Sequence, residues 1–257
     1  MNNISPLAYV HPEAKMGDGN TIGPFCCIWQ DTVIGDGNVL LNNVTIHPGA
    51  RIGSGNEFFP GASISTKPQD LKYKGEASEC HIGDGNSIRE SVTISRGTAA
   101  ANGKTVVGSG NLIMENAHVA HDCKVGSHVI IGNSTKLGGE VAVDDHAIIS
   151  AAALFHQFCH VGGYSMTQGG SRTSQDIPPF ITAGKHPVKY CGLNVVGMRR
   201  AGFSNDTIDL VHNAYRLLYS KGVLAEGMDL VRRELPQTRE VLAILDFVST
   251  SKRGIIR

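Results

Sequence analysis

The 257 residues carry 23 Lys+Arg and 23 Asp+Glu, so the formal charge is +0 and no global field calls for nucleic acid or an anionic membrane. Glycine supplies 31 residues, aromatics only 6% and hydrophobics 41%, which excludes a disordered chain; the missing G-X-Y period excludes collagen. Abundant glycine with few aromatics points to repeated tight turns around a narrow core.

The opening stretch MNNISPLAYVHPEAK lacks a basic region followed by an apolar run, so no signal peptide is expected. No segment approaches the roughly 18 apolar residues of a membrane span. The cysteines (Cys26, Cys27, Cys80, Cys123, Cys159 and Cys191) form no C-x-x-C pair. They read as reduced thiols serving as small core residues, which places the protein in the cytoplasm.

From Val10 the chain repeats every six residues: Met16, Ile22, Ile28, Ile34, Leu40, Ile46, Ile52, Phe58 and Ile64. The series resumes at Ile82, Ile88 and Ile94, and again from Val107 to Val161. Small or medium residues such as Ala14, Cys26, Ala50, Ala62, Cys123 and Cys159 follow four places later. A helix cannot hold a strict step of six on one face, whereas a short strand plus a turn can. Three such units make a triangular coil of about 18 residues, and about eight coils stacked at strand spacing give a prism on the order of 40 Å long. The pattern matches the hexapeptide-repeat left-handed parallel β-helix, whose handedness comes from that family and not from spacing. The fold class expected is mainly β, with a small C-terminal α-helical domain.

Two stretches break the period, STKPQDLKYKGEASECH and SRGTAAANGKT, and predict loops projecting near 65–81 and 95–106. Loops on a rigid scaffold often carry function; simple tolerated insertion is the alternative, stronger for the second. The period ends after QDIPPF (175–180). Phe203-Ser204 ahead of Ile208 resembles a hydrophobic staple around an N-cap, and Ile208, Val211, Ala214 and Leu218 follow helical spacing. Two more helices are expected near 223–235 and 238–250. The division is therefore 1–190 for the β-helix and 191–257 for a connector and helical domain.

Residues 18 apart share a face on successive coils. His121 then stacks with Gly139 and Gln157, and Asp122 with Glu140 and Phe158. His118, His121 and Asp122 fall at turn positions, and a cleft lined by them with Gly139, Glu140, His156 and Gln157 is expected. Zinc is one use of clustered histidines, but His118-x-x-His121 is not the helical i, i+4 pair. Imidazole suits proton abstraction near neutral pH, a neighbouring carboxylate orients it, and a glycine one coil away can aim its N–H at an oxyanion. Base, orienter and oxyanion donor together suggest acyl transfer to a hydroxyl or amine.

Several segments are more specific than the period: QDLKYKGE (69–76), IRESVTISRGT (88–98), NAHVAHDC (116–123), FHQFC (155–159), QDIPPF (175–180), GLNVVGMRRAGFS (192–204) and the ending STSKRGIIR. Through them the chain resembles, over nearly its whole length, the bacterial acyl-carrier-protein:UDP-N-acetylglucosamine O-acyltransferases, which catalyse the first step of lipid A synthesis. The resemblance implies that His121 is the general base toward the sugar 3-hydroxyl, that Asp122 orients it, and that the Gly139 N–H stabilises the oxyanion. It implies substrate contacts from Gln69, Asp70, Leu71 and Lys72 on the first loop, a pocket lined by His118, His156 and Gln157, and nucleotide contacts from Asn194 and Arg200. Gly169, with Met166 beside it, falls where the family sets acyl-chain depth, and implies a long 3-hydroxyacyl chain. The resemblance further implies a homotrimer with sites between adjacent prisms, acyl carrier protein and UDP-sugar as partners, no cofactor and no metal, in a bacterium whose outer membrane contains lipid A. The family commonly has histidine where this chain has Glu140 and Ser95, glutamate where it has Val196, and a second basic residue where it has Ala201. Those differences leave open whether the acceptor carries a 3-hydroxyl or a 3-amine. Related N-acyltransferases carry an extra N-terminal domain, for which repeats starting near Val10 leave no room. Smaller acetyl-CoA-dependent enzymes, a zinc hydratase and a non-catalytic scaffold are the remaining alternatives.

Overall fold

The computed structural model describes residues 1–257. Its strands, most of them two residues long, form three sheets of eleven, nine and eight strands. The first sheet starts at Asn3–Ile4, the second at Tyr9–Val10 and the third at Lys15–Met16. Chain order visits the three in rotation, so each sheet is one face of a triangular prism. The architecture is a left-handed parallel β-helix of hexapeptide repeats followed by C-terminal helices.

The period works because each repeat buries the same two residues. The apolar ladder from Ile22 through Val161 lies inside the prism, and so do corner residues such as Cys26, Ala50, Ala62, Cys123 and Cys159. Burying each large aliphatic side chain contributes roughly 1.5–3 kcal/mol. Beyond the first two turns, the regular corners fall on a residue with left-handed backbone, for example Asp122 (φ 61), Ser134 (φ 60) and Glu140 (φ 60). Asparagine and aspartate tolerate that geometry, which other non-glycine residues adopt only when the surroundings compel it.

Register is regular where the repeats are. In the second sheet Tyr9 pairs with Cys27 and Cys27 with Thr45, an offset of 18. The offset grows to 30 from Ser63 to Thr93 and to 25 from Thr93 to His118. Two loops, 67–78 and 96–103, are thus extruded without interrupting the ladder. Both leave the prism where the second sheet turns into the third, on successive coils. The next coil turns that same corner at His121 and Asp122.

A column of buried asparagines ties the coils together. Asn38, Asn56, Asn86 and Asn111 each donate their backbone N–H to the side-chain oxygen of the asparagine one coil before. Side-chain amides add bonds from Asn38 to Asn20, Asn56 to Asn38, and Asn86 to Asn56. The column stops where Val129 occupies the next position, and the Asn111 amide nitrogen is left without a partner.

Beyond the hexapeptides the first sheet continues. Ile181–Gly184 pairs in parallel with Met166–Thr167, then antiparallel with Lys189–Leu193. This hairpin lies past the last legible repeat, and the division expected at residue 190 falls inside its second strand. Helix α1 (Val195–Arg200) follows, a single short turn with Gly197 inside it that hydrophobic periodicity does not reveal. Helices α2 (Asn205–Leu218), α3 (Leu224–Glu234) and α4 (Arg239–Thr250) match the expected positions. Ser204 caps α2 as expected, accepting from the Thr207 N–H. The Phe203 ring sits edge-on to Tyr164 and Phe180, at 5.0 and 5.8 Å between centroids. The tail returns to the prism: Asp176 N–H donates to Gly254, and Ile256 N–H donates to Asp176. The motifs QDIPPF and STSKRGIIR thus form one contact.

Candidate active site

His121 and Asp122 stand at the corner where both loops emerge. The imidazole Nδ1 lies 2.9 Å from Asp122 Oδ2, with the side chains 16% and 1% exposed. Asp122 does not line a cleft, contrary to expectation: its left-handed backbone turns the carboxylate inward, behind the imidazole. There Thr98 donates its N–H to Oδ1 at 2.9 Å and its hydroxyl to Oδ2 at 2.7 Å. The Asp122 N–H in turn donates to Thr105 Oγ1 at 2.8 Å. An ionised carboxylate only accepts hydrogen bonds, so Nδ1 carries the proton and Nε2 is the free basic nitrogen.

Gly139 lies one coil above. A Cβ there would fall 2.6 Å from His121 Cε1 and 2.7 Å from Nε2, although its backbone is not left-handed. The imidazole therefore excludes any side chain. The flanking amides of Gly138 and Glu140 donate to Phe155 and His121, whereas the Gly139 N–H has no acceptor in the chain. The residue with the basic nitrogen and the residue with the free amide thus border one space.

That space is a cleft of about 530 Å³. His121, Gly139, His118, His156 and Gln157 line it as expected. Glu140 does not; it is exposed at the corner. His118 is not in a turn but in the strand His118–Val119, pointing outward from the second sheet. Its Nδ1 lies 2.7 Å from Thr93 Oγ1. Burial, with the charges of Lys136 and His121 adding to it, holds the His118 imidazole below its ordinary range. Of the first-loop residues, Gln69 reaches the cleft, whereas Asp70, Leu71 and Lys72 do not. Asp70 accepts the Lys72 N–H, and Leu71 is fully exposed.

Four contributors escaped the sequence reading. Lys136 lines the cleft, and stepping 18 residues from His118 would have found it. Leu154 lies one further step along the same row. Thr98 and Thr105 carry no such signal, because the second loop interrupts the count.

Asn194 and Arg200 lie elsewhere in the chain. Asn194 caps α1: its side-chain oxygen accepts the Gly197 N–H and its amide donates to the Tyr164 carbonyl. Arg200 is exposed at the end of that helix. Both sit at the corner between third and first sheets, about two coils beyond His121. Gly169 and Met166 are at neither place. Gly169 borders a separate cleft of about 470 Å³ with Arg172, Lys185 and His186, and no apolar side chain lines it.

Two other histidines pair with carboxylates, His81 with Glu79 and His160 with Asp144. Those carboxylates are 39% and 48% exposed, so water weakens their hold. Burial pushes the Cys123 thiol, next to Asp122, up to about 12, which makes it inert as a nucleophile.

Comparison with known proteins identifies the family. A family model described as UDP N-acetylglucosamine O-acyltransferase, domain 2, matches residues 176–256, and one for bacterial transferase hexapeptide (six repeats) matches residues 104–139. Acyl-[acyl-carrier-protein]–UDP-N-acetylglucosamine O-acyltransferases of Thermodesulfovibrio yellowstonii and Alkalilimnicola ehrlichii are 43% and 46% identical, over 100% of both chains in each case. A solved UDP-N-acetylglucosamine acyltransferase from Bacteroides fragilis is 55% identical, with TM-score 0.96 over 99% of this chain and 100% of that one.

Proposed function

The chain belongs to the acyl-[acyl-carrier-protein]–UDP-N-acetylglucosamine O-acyltransferase family, and we propose that it transfers a 3-hydroxyacyl group from acyl carrier protein to the 3-hydroxyl of UDP-N-acetylglucosamine, the first step of lipid A synthesis. One observation carries the mechanism: a buried carboxylate holds an imidazole against a glycine whose N–H is free. His121 Nε2 takes the hydroxyl proton as the oxygen attacks the thioester carbonyl. The Gly139 N–H donates to the oxyanion that forms. Collapse breaks the carbon–sulfur bond, and the imidazolium returns its proton to the departing thiolate. Asp122 keeps Nδ1 protonated throughout. The pathway needs no cofactor and no metal.

Gln69, His118, His156 and Gln157 are suited to bind the acceptor and acyl head, and the Lys136 ammonium adds a cation at the same wall. We read Asp70, Leu71 and Lys72 as meeting substrate from the exposed tip of the first loop. Asn194 and Arg200 are read as nucleotide contacts supplied by an adjacent subunit of a homotrimer; their place two coils away, at another corner, supports that. Gly169 supports a long acyl chain in one respect. A Cβ there would meet only the Ala151 carbonyl oxygen, at 3.4 Å, so packing does not demand glycine. Action in the cytoplasm accords with six free cysteines, and no helix is long and apolar enough to cross a membrane.

Incubation with UDP-N-acetylglucosamine and a ladder of 3-hydroxyacyl carrier proteins, read by mass spectrometry, tests the reading. One preferred long chain is expected on the sugar. His121→Ala should lower kcat by about 10²- to 10⁴-fold. Transfer from none of the donors, or full activity in the variant, refutes it.

A further inference from the structure

We propose that Thr98, on the second projecting loop, is a positioning residue for acyl transfer: it holds both oxygens of Asp122 so that His121 keeps Nδ1–H and turns a bare Nε2 to the cleft. The proposal deepens the acyl-transfer reading of this site and rests on it.

The Asp122 carboxylate accepts three hydrogen bonds. Thr98 N–H takes Oδ1, while Thr98 Oγ1–H and His121 Nδ1–H share Oδ2. All three are charge-assisted bonds away from water, the strongest class available to a side chain. A carboxylate rotates easily about its last torsion, whose preference is broad. Two donors from one residue, one on each oxygen, fix that rotation. The plane of the carboxylate then fixes the imidazole, and the imidazole fixes where Nε2 lies under Gly139.

The root of the loop is built to hold Thr98 still. Thr98 is 2% exposed. Its carbonyl accepts the N–H groups of Ala101 and Gly103, which closes the loop on itself. Gly97 donates its N–H to Glu79, and a Cβ on it would stand 2.1 Å from the Lys104 nitrogen. Glu76, from the first loop, accepts the Ala99 N–H at 3.2 Å. The loop that supplies Gln69 to the cleft is thereby tied to the loop that supplies Thr98. A tolerated insertion would need none of this.

Thr98→Val keeps the shape and the backbone N–H and removes only the hydroxyl; Thr98→Ser restores it. Thr98→Ala replaces the valine variant if circular dichroism shows that variant to be misfolded. The hydroxyl-free variant should lose about 10- to 100-fold in kcat. Its KM for UDP-N-acetylglucosamine should stay within about twofold, since a group acting on the base alone leaves ground-state binding intact. Thr98→Ser should recover kcat to within about threefold of wild type, a gain that a packing role would not give. Nitrogen-15 spectra of the histidine side chains, with His121 assigned by its loss in His121→Gln, should show the Nδ1–H tautomer in wild type and a mixture without the hydroxyl. Wild-type kcat with an unchanged tautomer, or a serine variant as impaired as the valine one, overturns the proposal. The spectra need no substrate. A tautomer change in a protein whose wild type acylates no UDP-sugar would sink the functional reading and leave the role of Thr98 standing.

Discussion

Gly139 and Gly169 both lack left-handed backbone, and their neighbours tell them apart. A Cβ on Gly139 would overlap the His121 ring, whereas one on Gly169 would make an ordinary contact with a carbonyl oxygen. Gly139→Ala should therefore displace the imidazole, by an amount that costs about 10²-fold in kcat. The thermal midpoint should move little, because alanine adopts the backbone without strain. Steady-state kinetics beside a melt of the same variant checks both halves; an active Gly139→Ala would remove the close imidazole contact from the mechanism. The base role proposed for His121 rests on a similar local contrast. Its carboxylate partner is 1% exposed, unlike those of His81 and His160. The same residue pair in water would be only a weak surface contact.

At the scale of elements, each strand is too short to stand alone, and the coils hold one another. The asparagine column is the clearest case. Asn56 accepts both the backbone N–H and the side-chain amide of Asn86 through one oxygen. Asn56→Leu would leave those two buried donors without an acceptor, at a cost of about 1–3 kcal/mol each. A fall of several degrees in thermal midpoint is expected, with KM values unchanged, since the column lies away from the His121 corner. An unchanged midpoint would show the column to be dispensable. The two loops also act as elements of the site. They leave the same corner on consecutive coils, and the coil that follows presents His121. One delivers Gln69 to the cleft and the other delivers Thr98 behind it.

For the whole molecule, one chain holds the proposed base and oxyanion donor at one corner and the proposed nucleotide residues at another. The homotrimer proposed above, with each site shared between subunits, would reconcile the two. Coexpression of His121→Ala with Arg200→Ala, under separate affinity tags, should then give mixed trimers that recover activity neither variant has alone. Purifying the doubly tagged species and assaying it tests this, with light scattering for the mass. Inactive mixed trimers would place Arg200 with the base of its own chain.

The sequence by itself determined the prism. One residue in six must be apolar when a three-sided coil repeats its inward position, and that rule survives in the letters from Val10 to Val161. The same arithmetic put His121, Gly139 and Gln157 in one column, because stacked coils have a constant rise. The three longer helices were legible from their period, whereas α1 and the Ile181–Leu193 hairpin were not, being too short or outside any repeat. Only the tertiary structure decided that Asp122 faces inward, that Glu140 and Asp70 stand outside the cleft, and that Thr98 completes the carboxylate's bonds. Those outcomes depend on where two loops of irregular length come to rest. Loops obey no period, so only the contacts themselves reveal what they touch.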